Sequence, residues 1–501
     1  MRLDSGWGYV VAAGMVCAIG FFLRTAWLPH ESAWYDEICG WNHLDAPTLA
    51  VYLEAPETKP DDAIQFMKGA PVYFILQYYW ARIAGLSVLA ARLVPLVFGV
   101  AIVPLAMALA CRLYTRRAAL VTGWCCAFSQ ILIYYSQELR PYALVSFLAL
   151  VSMYALIRAI EEGRVLWLFL HGAANGLMAF THLFAVPLMA AQFLFLVLTR
   201  HRDRRRLALW VGGHAGLGAA LLAWVLTVDA ESIGRTVTLY RRPSLHDIAN
   251  VYLTYAGGRV SQLSPADFLP QGINLDLLLA LFCLGCVAWL GWTSLRREEA
   301  GNREATSHRV PPREAYLLLL LWLLAPVAFV TAMSYAWKPA LNARYLAYCS
   351  LALYLLTGGG VAAIRNGLAR AGMTLCLALL MGYQTLAMTQ GPFRPDYRTA
   401  AHIISTEAAS DDRIFVLKDI NLVGMHFYWP GAPDRLEVLG GEQDLFQQTE
   451  ATHRQGHGFW VVMWRWDLLD RWEQFLTANG VTFEKRRLGG MPSLFLYRGN
   501  R

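Results

Sequence analysis

Long apolar runs separated by short polar segments occupy most of the chain. Eleven of these runs predict membrane-spanning helices, each of which needs roughly 17 to 25 mostly apolar residues. The runs lack the alternation of apolar and polar positions that marks strands of a membrane barrel, so helices are the expected spanning elements. The predicted spans are 7–28, 90–111, 118–135, 142–158, 165–180, 183–199, 207–228, 273–293, 315–334, 345–363 and 373–389.

Composition agrees with a polytopic all-α membrane protein. Of the 501 residues, 56% are hydrophobic and only 16% are charged, whereas soluble domains carry about 25% charged residues. The first apolar run is longer than the core of a signal peptide and has no small-residue cleavage site, so we expect it to be retained as a span.

Arginine and lysine residues mark one side of the predicted membrane. Short loops rich in these residues face the cytoplasm, and this places the amino terminus inside and the carboxyl terminus outside. The net charge of +7 reflects these loops, so a nucleic-acid partner is not expected. The basic segments are 111–118, 158–164, 200–206, 294–314 and 365–372.

One apolar segment, "PVYFILQYYWARIAGL" at 71–86, is not predicted to span. An additional crossing there would move the basic segment 111–118 to the outer side. The segment is short, begins with proline and is rich in tyrosine and tryptophan, which is typical of a helix lying in the membrane interface. We therefore predict an interfacial helix within the first outer loop, 30–89.

The composition changes after residue 389. Short apolar runs such as "IFVL", "FWVVMW" and "LFLYR" predict buried strands, and a helix is predicted around 467–479. We expect residues 390–501 to form a small soluble α/β domain on the outer side, following a transmembrane domain over 1–389.

The nine cysteines do not predict disulfides. Only Cys39 lies in a substantial loop, and the others lie within or at the ends of apolar runs. Cys283 and Cys286 have the spacing of zinc ligands but lie in "LFCLGCVAW", which favours small packing residues of a helix.

Ionisable and aromatic residues collect at the predicted outer ends of the spans. The stretch "ESAWYDEICGW" follows the first span, and the segments "YYSQELRPYAL", "FTHLF" and "NARYLAY" follow later ones. A carboxylate can accept the proton of an attacking hydroxyl or amine, and arginine or lysine can stabilise a departing phosphate. The candidate catalytic residues are Asp36, Glu37 and Glu138, the candidate phosphate-binding residues are Lys68, Arg140, Arg241, Arg242 and Arg344, and the candidate sugar- or lipid-binding residues are Tyr35, Tyr142, His182 and Tyr345.

Structural interpretations of the same residues stay open. Asp36 and Glu37 could be solvated loop acids, and Glu37 could instead orient Asp36 or cap a helix. Glu138 and Arg140 could form a structural ion pair, and Arg344 could be a snorkelling residue. His182 could simply satisfy the end of a helix.

The order of these motifs resembles a known family. It consists of one span, the acidic "YDE" loop, "GAPVYFILQYYWARIAG", "AARLVPLVFGVAIVPLAMALACRLY", "YYSQELRPYAL", "THLF" and "NARYLAY". This order resembles the bacterial branch of the dolichyl-phosphate-mannose protein mannosyltransferases, within the GT-C membrane glycosyltransferases. The lipid A aminoarabinose transferases and lipopolysaccharide-core galacturonosyltransferases are relatives. The resemblance covers roughly 7–410 and is strongest over 30–185.

The resemblance implies a function. It implies an inverting glycosyltransferase that uses a polyprenyl-phosphate sugar on the periplasmic side of the bacterial inner membrane, with the carboxyl-terminal domain in the periplasm. Asp36 matches the proposed base of the family and Glu138 matches its second acidic position. One departure is "KGAP" at 68–71, where many relatives have "HPP" or "KPP".

The predicted function carries expectations about cofactors, the acceptor and alternative functions. No cofactor is required, and a divalent metal is allowed but not indicated, because few acids cluster tightly. The acceptor could be lipid A or lipopolysaccharide, another envelope glycan, or a protein. The alternatives are a transporter or flippase for a lipid-linked glycan and a non-catalytic assembly subunit. The scarcity of Asp, Glu and Lys at mid-span weighs against transport.

Overall fold

A computed structural model describes residues 6–55, 68, 71–200, 203–228, 242–257, 275–299, 310–388, 394–431, 433–464, 468–489 and 494–499. Contacts divide the chain into two compact units. The first contains Met1–Ala26, His43–Arg259 and Leu269–Thr385, and the second contains Trp27–Asn42, Val260–Phe268 and Leu386–Arg501. Arg241, one of the candidate phosphate-binding residues, lies outside the described residues.

The described part of the first unit is built from helices. Two short 3₁₀ turns, Leu183–Ala185 and Ala343–Leu346, lie between them. The helices are α1 (Gly6–Thr25), α3 (Leu49–Glu54), α4 (Pro71–Ala84), α5 (Val88–Leu113), α6 (Arg116–Phe128), α7 (Gln130–Ser136), α8 (Tyr142–Glu162), α9 (Val165–Thr181), α10 (Val186–Arg200), α11 (Arg204–Val225), α12 (Leu245–Ala256), α13 (Leu275–Glu299), α14 (Pro312–Ala336), α15 (Cys349–Ala362) and α16 (Gly367–Met388), with α2 (Tyr35–Trp41) belonging to the second unit.

The helices confirm a multi-pass membrane protein. Where the structure describes the chain, each of the eleven predicted spans falls mainly on helical structure. Within the described residues, seven helices are long and apolar enough to cross a membrane, and the bent pair α6–α7 would make an eighth, whereas α9 and α15 are shorter apolar helices. The segment predicted to lie in the interface is the 14-residue helix α4. Its interfacial position and the orientation of the bundle stay predictions.

A bend between α6 and α7 interrupts what the sequence predicts as one span. The two helices meet at 58°, and the Ser129 side chain accepts a hydrogen bond from the Leu132 amide at 3.3 Å. The bend exposes carbonyl groups at the end of α6, and such groups require donors. The buried Arg24 guanidinium donates to the Cys126 carbonyl at 2.8 Å and to the Ala127 carbonyl at 3.2 Å. This arginine therefore stabilises the turn that leads into the "YYSQELRPYAL" segment.

The second unit contains a five-stranded sheet with helices on both faces. Its strand order is β2-β1-β3-β5-β4, in which β1 pairs in parallel with β2 and β3, and β5 pairs in antiparallel fashion with β3 and β4. The elements are α17 (Tyr397–Glu407), β1 (Arg413–Leu417), α18 (Asp419–Tyr428), β2 (Leu436–Leu439), α19 (Glu442–Arg454), β3 (Phe459–Met463), α20 (Leu469–Ala478), β4 (Phe483–Leu488) and β5 (Leu494–Gly499).

The sheet buries two apolar faces because successive side chains of a strand point in opposite directions. Phe415 of β1 packs in one core with Trp472 of α20, and Ile414 packs in the other with Tyr397 of α17. Trp34, from the segment after the first helix, belongs to this second core. The predicted strands and the helix around 467–479 are confirmed.

The contacts of Trp34 bear on the domain boundary. The sequence assigns 30–89 to the transmembrane domain, whereas the structure groups Trp27–Asn42 with the carboxyl-terminal residues. The boundary at 389–390 stays a prediction. The acidic "YDE" segment therefore belongs to the same compact unit as the sheet.

Candidate active site

The adjacent acids Asp36 and Glu37 lie in the first turn of α2. Successive residues of a helix are rotated by about 100° around its axis, so the two side chains leave the helix in different directions. Glu37 is completely buried, whereas Asp36 is partly exposed. One acid is thus buried and the other is partly exposed.

Glu37 pairs with an arginine that sequence reasoning missed. The Arg394 Nη1 atom lies 3.5 Å from Glu37 Oε1 and 3.4 Å from Oε2, and both side chains have 0% exposure. A buried charge is tolerated only when it is paired and hydrogen-bonded. This contact places Glu37 in the interior of the α/β unit. There the ion pair fixes the position of α2, the helix that also carries Asp36.

Further contacts fix the segment around these acids. The Tyr428 hydroxyl accepts a hydrogen bond from the Ala33 amide at 2.6 Å. At the other end of α2, the ring of Trp41 meets Phe427 edge to face, with centroids 4.9 Å apart. Tyr35, a candidate sugar-binding residue, is the first residue of the helix and is half-buried. The Trp41 ring and the Ala33 amide therefore anchor the acidic helix on α18.

In the first unit, three motifs that are far apart in the sequence meet in one aromatic cluster. The ring centroids of Tyr142 and His182 are 5.6 Å apart, and those of His182 and Tyr345 are 5.4 Å apart. Tyr142 and Tyr345 are 6.3 Å apart, and Phe184 stacks on Tyr345 at 5.0 Å. We call Tyr142, His182, Phe184 and Tyr345 the aromatic cluster.

Local capping explains why these side chains converge. His182 ends α9, and its Nδ1 atom accepts a hydrogen bond from the Phe184 amide at 3.3 Å, which starts the following 3₁₀ turn. The Asn342 side chain accepts from the Arg344 amide at 3.1 Å and starts the other 3₁₀ turn. The Tyr348 hydroxyl donates to the Phe184 carbonyl at 2.9 Å and joins the two turns.

Two of the predicted phosphate-binding residues lie at the aromatic cluster. The Arg344 guanidinium lies 5.1 Å from the centroid of the Tyr345 ring and donates to its hydroxyl at 3.3 Å. Burial, with the positive charges of Arg344 and Arg140 as smaller causes, lowers the pKa of His182 to about 3. His182 is therefore neutral at pH 7, and because Nδ1 is an acceptor, its Nε2 carries the proton. Arginine guanidinium groups beside a neutral donor suit an anionic ligand.

The other candidate catalytic and phosphate-binding residues differ in their burial and in their neighbours. Glu138 is 1% exposed and Arg140 is 4% exposed, and the Arg140 amide donates to the Glu138 carbonyl at 2.6 Å. Lys68 lies 3.9 Å from the Glu54 carboxylate, and Arg242 is exposed. The structure thus brings Arg140 and Arg344 near one ring, while Lys68 has a carboxylate neighbour of its own.

No group of three or more His, Cys, Asp or Glu side chains in the described part of the chain is arranged to hold a metal ion. The expectation that no metal is required stays a prediction.

The histidine of the aromatic cluster makes stability depend on pH. Because the pKa of His182 is about 3 in the folded protein and about 6.5 when unfolded, the folded state binds fewer protons between these values. We therefore expect the contribution of His182 to stability to fall as pH decreases through about 6.5 and to level off below about 3. The wild type should lose more melting temperature between pH 8 and pH 4.5 than His182→Asn, which keeps a cap for the Phe184 amide.

The control for this measurement is His246→Asn, since His246 is an exposed histidine of the same unit. This variant should retain the full decrease in melting temperature of the wild type. An equal decrease in wild type and His182→Asn would contradict the assignment of a neutral, enclosed His182.

Comparison with known proteins supports this description of the fold. Residues 68–227 match the family model of the dolichyl-phosphate-mannose-protein mannosyltransferases. No curated protein matches the chain.

Two solved structures have a similar architecture. ArnT from Cupriavidus metallidurans bound to undecaprenyl phosphate is 15% identical, with a TM-score of 0.52, over 99% of this chain and 98% of that chain. The Archaeoglobus fulgidus oligosaccharyltransferase tethered to an acceptor peptide with the NVT sequon is 11% identical, with a TM-score of 0.52, over 92% of this chain and 70% of that chain. These findings confirm the resemblance to GT-C glycosyltransferases, and the chain has the GT-C fold.

Proposed function

We propose that the protein is an inverting glycosyltransferase that moves a sugar from a polyprenyl-phosphate donor to an acceptor on the periplasmic face of the membrane. The observation that carries this proposal is the different environment of the two adjacent acids. Glu37 is buried against Arg394, whereas its neighbour Asp36 is partly exposed on a helix fixed by aromatic contacts. A fixed, accessible carboxylate is suited to act as a general base.

In the proposed reaction, Asp36 takes the proton of the acceptor hydroxyl or amine as the acceptor attacks the anomeric carbon of the sugar. A bond forms between the acceptor and this carbon while the bond from the carbon to the phosphate oxygen breaks. The electron pair of the broken bond leaves with the polyprenyl phosphate. A single displacement inverts the anomeric centre and forms no covalent intermediate with the protein.

The proposed role of Arg140 and Arg344 is to hold the phosphate as it leaves. Their guanidinium groups are the charges that act on His182, and the neutral His182 can add a donated hydrogen bond from Nε2. Charge-assisted hydrogen bonds of this kind are roughly twice as strong as neutral ones. The aromatic cluster offers ring faces for a sugar or an isoprenoid chain. Glu138, which is buried beside Arg140, would orient that arginine or the donor sugar.

The comparisons support this choice of donor. The ArnT structure that this chain matches over 99% of its length contains undecaprenyl phosphate. The acceptor of the oligosaccharyltransferase is a peptide, so a lipid, a glycan and a protein all stay candidate acceptors here. A mannosyl group is the first donor sugar to examine, because the matched family model is that of mannosyltransferases. An aminoarabinosyl group is the second, because the motif order of the sequence resembles the lipid A aminoarabinose transferases.

Binding of undecaprenyl phosphate to the purified protein tests the donor assignment. We expect Arg344→Gln to weaken this binding by about tenfold or more, since a hydrogen bond to a charged group contributes ~1.5–3 kcal/mol. Titration of the full-length protein in detergent, followed by tryptophan fluorescence, gives the dissociation constants.

The matched control is Arg164→Gln, because the Arg164 side chain is 74% exposed and lies outside the aromatic cluster. It should bind undecaprenyl phosphate as tightly as the wild type. Equal affinity of wild type and Arg344→Gln would remove Arg344 from the phosphate site, and an absence of binding by the wild type would overturn the proposed donor.

A further inference from the structure

A groove in the first unit is unrelated to the residues proposed for catalysis. Its volume is about 650 Å³, and it lies between α1, α6, the end of α15 and the start of α16. All of its lining residues belong to the helical unit.

One end of the groove is basic. Arg117 lies in the first turn of α6 and Arg370 in the first turn of α16, and both line the groove. The Arg370 Nη1 atom donates to the Ile364 carbonyl at 2.8 Å, which directs the guanidinium towards the end of α15. Gly367 lines the same end of the groove.

Apart from Thr374, the rest of the groove is lined by apolar side chains. Val121 and Trp124 of α6 form one wall, and Leu375 and Ala378 of α16 form another. Ala378 follows Arg370 by eight residues, so the apolar part extends about 12 Å along the helix axis. The groove therefore has a cationic mouth at the helix ends and a hydrocarbon-like interior.

This polarity matches one class of ligand. We propose that the groove binds an anionic phospholipid, with the phosphate at Arg117 and Arg370 and one acyl chain between α6 and α16. Both arginines lie in segments that the sequence predicts to be cytoplasmic, where anionic lipid headgroups attract clustered arginines. Arginine binds phosphate through several donors at once. The inference does not depend on the proposed sugar transfer.

The test is native mass spectrometry of the delipidated full-length protein, titrated with dioleoyl-phosphatidylglycerol and dioleoyl-phosphatidylcholine. These lipids share their acyl chains and differ in net headgroup charge. We expect the wild type to bind the glycerol lipid more tightly, by about fivefold for each arginine, the factor that corresponds to ~1 kcal/mol. Glycerol 3-phosphate, which lacks acyl chains, should bind much more weakly than the glycerol lipid.

Two test variants and one control variant separate the contribution of the headgroup from that of the acyl chain. Arg117→Gln/Arg370→Gln should remove the preference for the glycerol lipid, whereas the exposed pair Arg204→Gln/Arg205→Gln should keep it. Ala378→Trp fills the apolar part and should weaken binding of both lipids by a similar factor. If Arg117→Gln/Arg370→Gln does not fold, the proposal is tested by the binding of Ala378→Trp and by the wild type's preference between the two lipids.

Three results would overturn the proposal. The first is equal binding of both lipids by the wild type, and the second is unchanged binding in Ala378→Trp. The third is binding of glycerol 3-phosphate as tight as that of the lipid, which would identify a site for free anions.

Discussion

Asp36→Asn is expected to slow sugar transfer by a factor of about 100 to 10,000, the usual contribution of a general base. The amide has nearly the shape of the carboxylate but cannot accept the proton of the acceptor. Because Asp36 is not proposed to hold the donor, binding of undecaprenyl phosphate should be unchanged. The measurement is the rate of donor consumption by wild type and variant at saturating donor and acceptor.

The matched control for this experiment is Asp45→Asn. Asp45 lies in the same predicted outer loop and is exposed, so its replacement should leave the rate within about twofold of the wild type. A variant at Asp36 that folds, binds undecaprenyl phosphate and transfers sugar at the wild-type rate would assign the base elsewhere.

The second large effect is expected at the buried pair of Glu37 and Arg394. Replacing one partner removes the opposite charge beside a buried ionised group, which costs about 3–5 kcal/mol. We therefore expect Arg394→Met to lower the melting temperature and to slow transfer, because α2 carries Asp36. Thermal unfolding of the full-length protein and the transfer rate are measured on the same samples.

The double variant Glu37→Gln/Arg394→Met distinguishes a buried charge from a loss of packing. It removes both charges and should recover most of the lost stability, since replacing both partners of a buried pair is often close to neutral. As a control, Arg454→Gln removes an exposed ion pair with Glu450 and should change stability by only about 0.3–0.5 kcal/mol. If Arg394→Met is as stable as the control, the pair does not hold α2.

Much of the fold follows from local patterns in the sequence. The apolar runs predict the helices because a span must satisfy its backbone internally, and strands such as β3 are continuous apolar runs. The strands β2 and β4 were missed because "LEVL" is short and "FEKRRL" is largely charged. Their pairing depends on a neighbouring strand rather than on their own composition.

The interruption between α6 and α7 could not be predicted from local sequence. The run 118–135 is apolar throughout most of its length, and the donor that satisfies the carbonyls at the break, Arg24, is more than 100 positions away in the chain. Arg24 lies within the predicted first span, and nothing in the sequence identifies the Cys126 and Ala127 carbonyls as its partners.

In the candidate site, too, the partners that are distant in the chain could not be predicted from local sequence. Asp36, Glu37, Arg140 and Arg344 were predicted because their residue types suit the chemistry and because their motifs resemble a family. Arg394 was missed, because it lies 357 positions from Glu37 and a single arginine after the last predicted span gives no pairing signal. The burial that separates the environments of Asp36 and Glu37 is a property of the folded α/β unit.

The most direct test of the proposed function is the consumption of a polyprenyl-phosphate sugar by the purified wild-type protein. A panel of radiolabelled donors is supplied with an outer-envelope extract, and the released polyprenyl phosphate and the labelled acceptor are quantified. We predict that one donor is consumed, that polyprenyl phosphate appears in equal amount, and that the transferred sugar has the inverted anomeric configuration. A folded protein that binds undecaprenyl phosphate but cleaves none of the donors, or that moves an intact lipid-linked glycan across vesicles, would contradict the proposal.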